Sequence, residues 1–274
     1  RRRLVVCAPT NKALVVLATR LVKATENADV NITIVGDGDK LVGPKTQHSP
    51  LPPHFVYTWR EWVEEDLKAL VAMLDPGSRQ RAEATASAVK LQKLLNRRLA
   101  ALPPEFKETL EELCSALDSD VVDVKKDFRL AEKVQISFSL LPALAVRQDL
   151  ILSAGVVFST LCGSAGSLLR DSFVVDDLIV DEAAAATEPD LYIPLHLRPS
   201  RLLLVGDPRQ LPSTVLSDQA KACGLDTSLQ ERLMNHCDAD FTVLDIQYRM
   251  HPEISTFPSA RFYAEKLCDG DNVF

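Results

Sequence analysis

The chain has six cysteines (Cys7, Cys114, Cys162, Cys223, Cys237 and Cys268) and no C-x-x-C pair. Cys223 and the adjacent His236-Cys237 lack the second close pair that a zinc site needs. Scattered thiols favour core or surface positions in a reducing compartment, which points to an intracellular and not a secreted protein. Long apolar runs are also missing. None approaches the ~20 residues needed to cross a bilayer, and Leu4–Ala8 after three arginines is too short for a signal-peptide core. A basic excess is lacking as well, with 31 Lys+Arg against 38 Asp+Glu and a net charge of −7. That excludes a uniformly basic nucleic-acid coat, so any polyanion must be met by a local patch. Glycine is sparse, ten in all, and none opens a G-x-x-x-x-G-K-[ST] phosphate loop. The stretch Gly38–Thr46 comes nearest, with one residue inserted. Pro44 there removes an N–H that the loop would donate, and it displaces Lys45. Gly163-Ser164-Ala165-Gly166 is not a nucleophile elbow, and no Ser/His/Asp triad can be assembled.

What is present is ordinary globular composition, 46% hydrophobic and 25% charged, enough to bury a core. Six apolar runs read as strands: Leu4–Cys7, Ile32–Val35, Val156–Phe158, Leu178–Val180, Leu202–Val205 and Thr242–Leu244. Most are continuous, as in strands covered on both faces of a parallel sheet. Helical stretches such as Asn11–Lys23 and Thr187–Leu195 lie between them, which gives the βαβ rhythm of an α/β fold. Residues 37–149 differ. A turn-rich linker, 37–53, precedes Trp59, Trp62, Val63, Leu67, Leu70, Val71 and Leu74 at helical spacing, stopped at Asp75-Pro76-Gly77. Leu91, Leu94 and Leu95 belong to a second helix, and Leu110, Leu113 and Leu117 to a third. The expected organisation is an α/β domain from 1–36 and 150–274 with a helical insertion over 37–149. Trp59 and Trp62 fit either base stacking or the helical core, and both fall on the apolar stripe.

Small, hydroxyl and charged residues follow the apolar runs. In an open α/β sheet the carboxyl ends of strands line one crevice, where ligands bind. Asp181-Glu182 puts two carboxylates there. In a nucleotide hydrolase the first holds Mg²⁺ and the second takes a proton from the attacking water; the plain alternative is a solvated acidic turn. Gly206-Asp207-Pro208-Arg209-Gln210-Leu211-Pro212 follows the next run. Gln210 is a neutral donor and acceptor able to sense a γ-phosphate or position water, and the alternative is a simple turn. In Gln247-Tyr248-Arg249-Met250-His251-Pro252, Arg249 offers a planar fork to phosphate oxygens, while His251 before proline reads as structural. Residues 1–23 hold six basic residues and no acidic one; 171–190 hold seven acidic residues and no basic one. The first stretch suits a phosphate backbone and the second a metal, although a charge run is also simply a solvated face.

Taken in order, Ala8-Pro9-Thr10-Asn11-Lys12-Ala13, Phe158-Ser159-Thr160, Asp181-Glu182-Ala183-Ala184, the Gly206–Pro212 stretch and the Gln247–Pro252 stretch resemble superfamily 1 helicases. Within them the pattern looks like the group containing the nonsense-mediated-decay helicase and senataxin. The similarity covers about 1–36 and 150–267, and it implies a RecA-like parallel sheet with helices on both faces and a helical extra lobe. It further implies that Pro9, Thr10 and Asn11 track a nucleic-acid backbone and that Thr160 makes a second backbone contact. Asp181 would ligate Mg²⁺ and Glu182 activate water, and Gln210 and Arg249 would contact the γ-phosphate of ATP. The implied partners are single-stranded RNA or DNA and a second RecA-like domain of the same polypeptide, with no membrane, movement 5′ to 3′, and a nuclear or cytoplasmic setting.

Two departures accompany the resemblance. The family commonly has glutamine where this chain has Ala185. The family's phosphate-loop lysine, base-contacting motif and late arginine finger have no counterpart here, so the chain is expected to be a fragment that alone hydrolyses ATP negligibly. One rival is a degenerate, catalytically inactive helicase acting as a nucleic-acid-binding or scaffold module. The other is an ATPase that remodels proteins, against which the Pro-Thr-Asn strand end and the basic first segment speak.

Overall fold

Unbroken Val, Ile and Leu runs build a parallel sheet whose strands are β1 (Leu4–Ala8), β2 (Ile32–Val35), β3 (Val156–Thr160), β4 (Asp177–Val180) and β5 (Arg201–Leu204). The computed structural model describes residues 2–25, 30–36, 54–78, 80–99, 102–119, 121–170, 174–237 and 239–273. The strand order is β2-β3-β1-β4-β5, and every pairing is parallel. Thr10 opens α1 (Asn11–Ala24), its side chain accepting from the Ala13 amide, an N-cap that satisfies one orphan donor. The helix buries Leu14 and Ala18 against Val6, Ala8, Ile32, Ile34 and Phe158 on one face of the sheet.

Five helices follow β2: α2 (Trp59–Met73), α3 (Arg81–Arg98), α4 (Pro104–Asp118), α5 (Val124–Ser139) and α6 (Ala143–Ser153). Three were legible as apolar stripes; α5 and α6 are additional. Trp59 is fully buried, its ring 6.2 Å from that of Phe138, so this residue belongs to the helical core and not to a base-stacking surface. Polar groups fasten the helices to the sheet edge. The buried Arg98 guanidinium donates to the Ile32 carbonyl and to Thr33 Oγ1, both at 2.9 Å. Burial, with neighbouring Arg97, pushes its pKa down to about 10. Thr33 in turn donates to the Leu150 carbonyl at 3.1 Å, which sets α6 on the face opposite α1. The sheet is therefore covered by helices on both faces, the RecA-like α/β arrangement that the sequence implied. No single helix among the described residues is long and apolar enough to cross a membrane.

Cys7 lies buried on the central strand, and burial alone raises its pKa to about 12. Such a thiol stays protonated and inert. Cys162, Cys223, Cys237 and Cys268 are exposed. Alkylation of the native chain at pH 8, followed by mass spectrometry, should label these four and reach Cys7 only in denaturant. Native labelling of Cys7 would mean that the sheet centre opens.

The short helices α7 (Ser167–Arg170) and α8 (Glu188–Tyr192) complete this part of the chain, and the helix read over Thr187–Leu195 becomes α8 plus a 3₁₀ turn, Ile193–Leu197. The run after Arg201 forms its strand as read, at the sheet edge, where Leu203 is 55% exposed. One expectation about strands needs correction. Thr242–Leu244 is not a strand. Leu244 is 83% exposed, and without a neighbouring strand or a covering face an apolar run gains nothing from extending.

The chain divides into two units, Arg1–Glu182 with Pro189–Val205, and Ala183–Glu188 with Gly206–Phe274. The second holds α9 (Asp218–Ala222), α10 (Leu229–His236) and α11 (Pro252–Phe262). It also holds a two-stranded parallel sheet, β6 (Ile246–Gln247) with β7 (Cys268–Asp269). Arg232 of α10 grips the Glu188 carboxylate through its Nε at 2.8 Å and one terminal nitrogen at 2.7 Å.

Candidate functional site

In the first unit the register pairs Ala8 with Thr160 and Cys7 with Val180. With strand order β3-β1-β4, Thr160, Pro9-Thr10 and Asp181 therefore follow one another along the carboxyl rim. The Asp181 amide donates to the Cys7 carbonyl at 2.9 Å, extending the ladder one step beyond β4. Glu182 then turns into the left-handed region with φ of 55°. For an L-residue that conformation costs about 1–2 kcal/mol, and strained backbone of this kind collects at functional sites. Its side chain is exposed, and that of Asp181 is half-buried.

The first turn of α1 has no acidic residue, and Asn11 and Lys12 on it are exposed. Free N–H groups, the positive helix end and a lysine together suit a phosphate. Thr160 Oγ1 accepts from the Gly163 amide at 3.0 Å. A Cβ at Gly163 would meet Ser159 Oγ and Thr160 Oγ1 at 2.8 Å each, so only glycine leaves that hydroxyl in place.

In the second unit Asp207 is the hub. It accepts from Tyr263 Oη at 2.6 Å, from Gln210 Nε2 at 3.1 Å and from the Arg209 amide at 3.0 Å. Burial pushes this carboxyl up, but those hydrogen bonds outweigh it and hold the pKa below the ordinary carboxylate value. The clasp is therefore intact at neutral pH and is lost only as acid protonates Asp207. Burial and the same carboxylate raise the Tyr263 phenol. Gly206, just before, needs its missing side chain: a Cβ would stand 2.8 Å from the Ala184 nitrogen, 3.0 Å from that of Ala183 and 2.6 Å from Gln230 Oε1. Gln230 Nε2 donates to the Gly206 carbonyl at 2.9 Å.

Gln247 shapes the last motif. Its Oε1 accepts from the amides of Arg249 at 2.9 Å and Met250 at 2.7 Å, while Nε2 donates to the Met250 carbonyl and to Asp269. The bonds from Gln247 and Ser255 hold Asp269 below its ordinary pKa. This turn leaves the Arg249 side chain exposed. His251 caps α11, its Nδ1 accepting from the Glu253 amide at 3.3 Å, a structural role as read from the sequence.

Pro9, Thr10, Asn11, Thr160, Asp181 and Glu182 thus belong to the first unit, and Gln210 and Arg249 to the second. Among the described residues no three His, Cys, Asp or Glu side chains gather as a metal cage. A lone Asp181 carboxylate fits Mg²⁺ better than zinc or Ca²⁺, because Mg²⁺ keeps its waters and takes one or two carboxylates plus substrate phosphates. Ala185, in place of the family's usual glutamine, is exposed on a 3₁₀ turn. The phosphate-loop look-alike Gly38–Thr46 and the linker 37–53 lie outside the described residues. Sequence reasoning missed Asp207, Gln230 and Tyr263. Asp207 stands within the Gly206–Pro212 motif, but Tyr263 lies 56 positions from its partner and carries no local signal.

The parallel sheet of the first unit, with helices on both faces, defines a RecA-like α/β domain. Two family models, each described as an AAA domain, match residues 1–218 and 225–274, and the chain belongs to that family. Within it the chain is a superfamily 1 helicase motor sequence. It is 45% identical over 128 residues to the helicase sen1 of Schizosaccharomyces pombe, covering 46% of this chain and 8% of that protein. It is 39% identical over 127 residues to the regulator of nonsense transcripts 1 homolog of Drosophila melanogaster, covering 46% and 10%. The probable helicase senataxin of Mus musculus aligns with 97% of this chain at 27% identity, over 10% of its own length. The chain therefore spans a small share of the curated relatives it matches.

Proposed function

We propose that this chain is part of an ATP-driven motor on single-stranded RNA or DNA, working inside the cell. Asp181 would hold Mg²⁺, which when bound neutralises phosphate charge. Glu182 takes the proton of the water that attacks the γ-phosphate in line. Arg249 offers its planar fork to the γ-phosphate oxygens. Gln210, steadied through Asp207, keeps its amide oxygen for that water or for the phosphate edge. Pro9, Thr10, Asn11 and Thr160 follow the nucleic-acid backbone, and a second RecA-like domain of the same polypeptide turns phosphate release into 5′ to 3′ movement.

The observation that carries this reading is Glu182, a non-glycine residue held left-handed directly after a buried strand and Asp181. Arg198, Ala264 and Glu265 share the conformation, so the weight falls on the place of Glu182 at the carboxyl end of β4, beside Asp181. One observation favours a second reading: the Ala185 methyl cannot make the contacts of a glutamine amide, which suits a nucleic-acid-binding module without turnover. With a phosphate loop supplied ahead of Arg1, ATP hydrolysis should rise on adding single-stranded RNA. RNA binding without hydrolysis would select the second reading, and neither activity would overturn both.

A further inference from the structure

Tyr57 and Arg147 take no part in any role assigned above. Both lie in the unit that contains the parallel sheet. Phe55 bridges in parallel to Ile34, and the Val56 amide donates to the Ile34 carbonyl at 2.9 Å. Tyr57 therefore leaves the sheet level with the carboxyl end of β2, and β2 is the neighbour of β3, whose last residue is Thr160. Two strand spacings put it about 10 Å along the rim from Thr160. The short link from Ser153 at the end of α6 to Val156 at the start of β3 makes α6 run back against that strand. The amino-terminal half of α6, with Arg147, thus rises to the same rim. The Arg147 guanidinium carbon sits 5.0 Å from the centroid of the Tyr57 ring.

Two features are out of keeping with a packing pair. Tyr57 is 38% exposed although Phe55 and Val56 just before it are buried. Among the described residues, the one partner of Arg147 is that ring, and no protein oxygen accepts from its five N–H donors. A flat ring held in place by a cation, beside unspent phosphate donors, is the chemistry of sequence-tolerant single-strand binding: the base stacks and the arginine meets the backbone. A duplex does not fit, because its bases are already stacked on both faces.

We propose that Tyr57 and Arg147 extend the nucleic-acid track beyond Thr160, with Tyr57 stacking one unpaired base and Arg147 taking an adjacent phosphate. This rests on the nucleic-acid reading of the rim given above. Fluorescence anisotropy with a labelled oligouridylate compares the 274-residue chain with Tyr57→Leu, Tyr57→Phe, Arg147→Gln and Thr160→Ala. Tyr57→Leu should weaken binding about five- to a hundredfold, while Tyr57→Phe, which keeps the stacking face, binds nearly as well as the unaltered chain. Arg147→Gln should lower the slope of log affinity against log salt by about 1. On an abasic oligomer the unaltered chain and Tyr57→Leu should bind equally, a result that general unfolding of the variant would not give. If Thr160→Ala weakens binding but Tyr57→Leu does not, the extension is wrong and the nucleic-acid reading stands. If the unaltered chain binds no single strand, both fall together.

Discussion

Glu182→Gln, in a polypeptide that supplies a phosphate loop ahead of Arg1, should bind ATP as before and lose about 10²- to 10⁴-fold in turnover. The change keeps size and hydrogen-bonding reach and removes only the group that accepts a proton. Fluorescent-nucleotide titration and steady-state hydrolysis separate the two quantities, and normal turnover would take Glu182 out of the base role. The backbone adds an independent arm. Because Glu182 sits at φ 55°, Glu182→Gly relieves a penalty that glycine does not feel. After the extra entropy of a free glycine, the gain should be up to about 1 kcal/mol in urea denaturation. A variant that loses turnover while gaining stability is the mark of a residue kept for chemistry. A loss of stability in Glu182→Gly would show that the side chain earns its place by packing.

Gly206→Ala should clearly destabilise the second unit. The added carbon would lie 2.8 and 3.0 Å from the backbone nitrogens of Ala184 and Ala183, and 2.6 Å from Gln230 Oε1. A side-chain oxygen can rotate away, but backbone cannot, so the expected cost is about 1–3 kcal/mol. Combining it with Gln230→Ala tests the reason. Removing the amide clears the softest contact and leaves the two backbone contacts, so the double variant should recover only a small part of the loss. Full recovery would mean that the side chain alone crowds the site, and no loss at all would mean that the close approach is not there.

The sheet was readable because parallel strands covered on both faces announce themselves as continuous apolar runs; Leu4–Ala8, Val156–Thr160 and Asp177–Val180 all form strands. The same rule found Leu202–Val205, which forms the edge strand β5, and misread Thr242–Leu244. An apolar run reports a capacity to be covered, and the cover must come from elsewhere. Helix stripes located α2, α3 and α4, and Trp59, which the sequence left open between base stacking and core, lies in the core. The sites divide the same way. Asp181, Glu182, Gln210 and Arg249 stood in short motifs at strand ends. The groups that steady them are distant in sequence: Tyr263 grips Asp207, and Asp269 accepts from Gln247. No local spacing encodes such pairs, because they exist only once the chain has closed. Tyr57 and Arg147 are farther still from any motif, joined only by the return of α6 to the rim.

The account rests on Asp181 and Glu182 serving the same nucleotide as Gln210 and Arg249. The most direct measurement is a crystal structure of the chain, extended to include a phosphate loop, with Mg²⁺, ADP and aluminium fluoride. The account predicts Arg249 and Gln210 within hydrogen-bond distance of the fluoride that mimics the γ-phosphate, Asp181 on the Mg²⁺ or one of its waters, and Glu182 on the in-line water. A bound nucleotide that touches only one of these two pairs, with the other facing away, would contradict it.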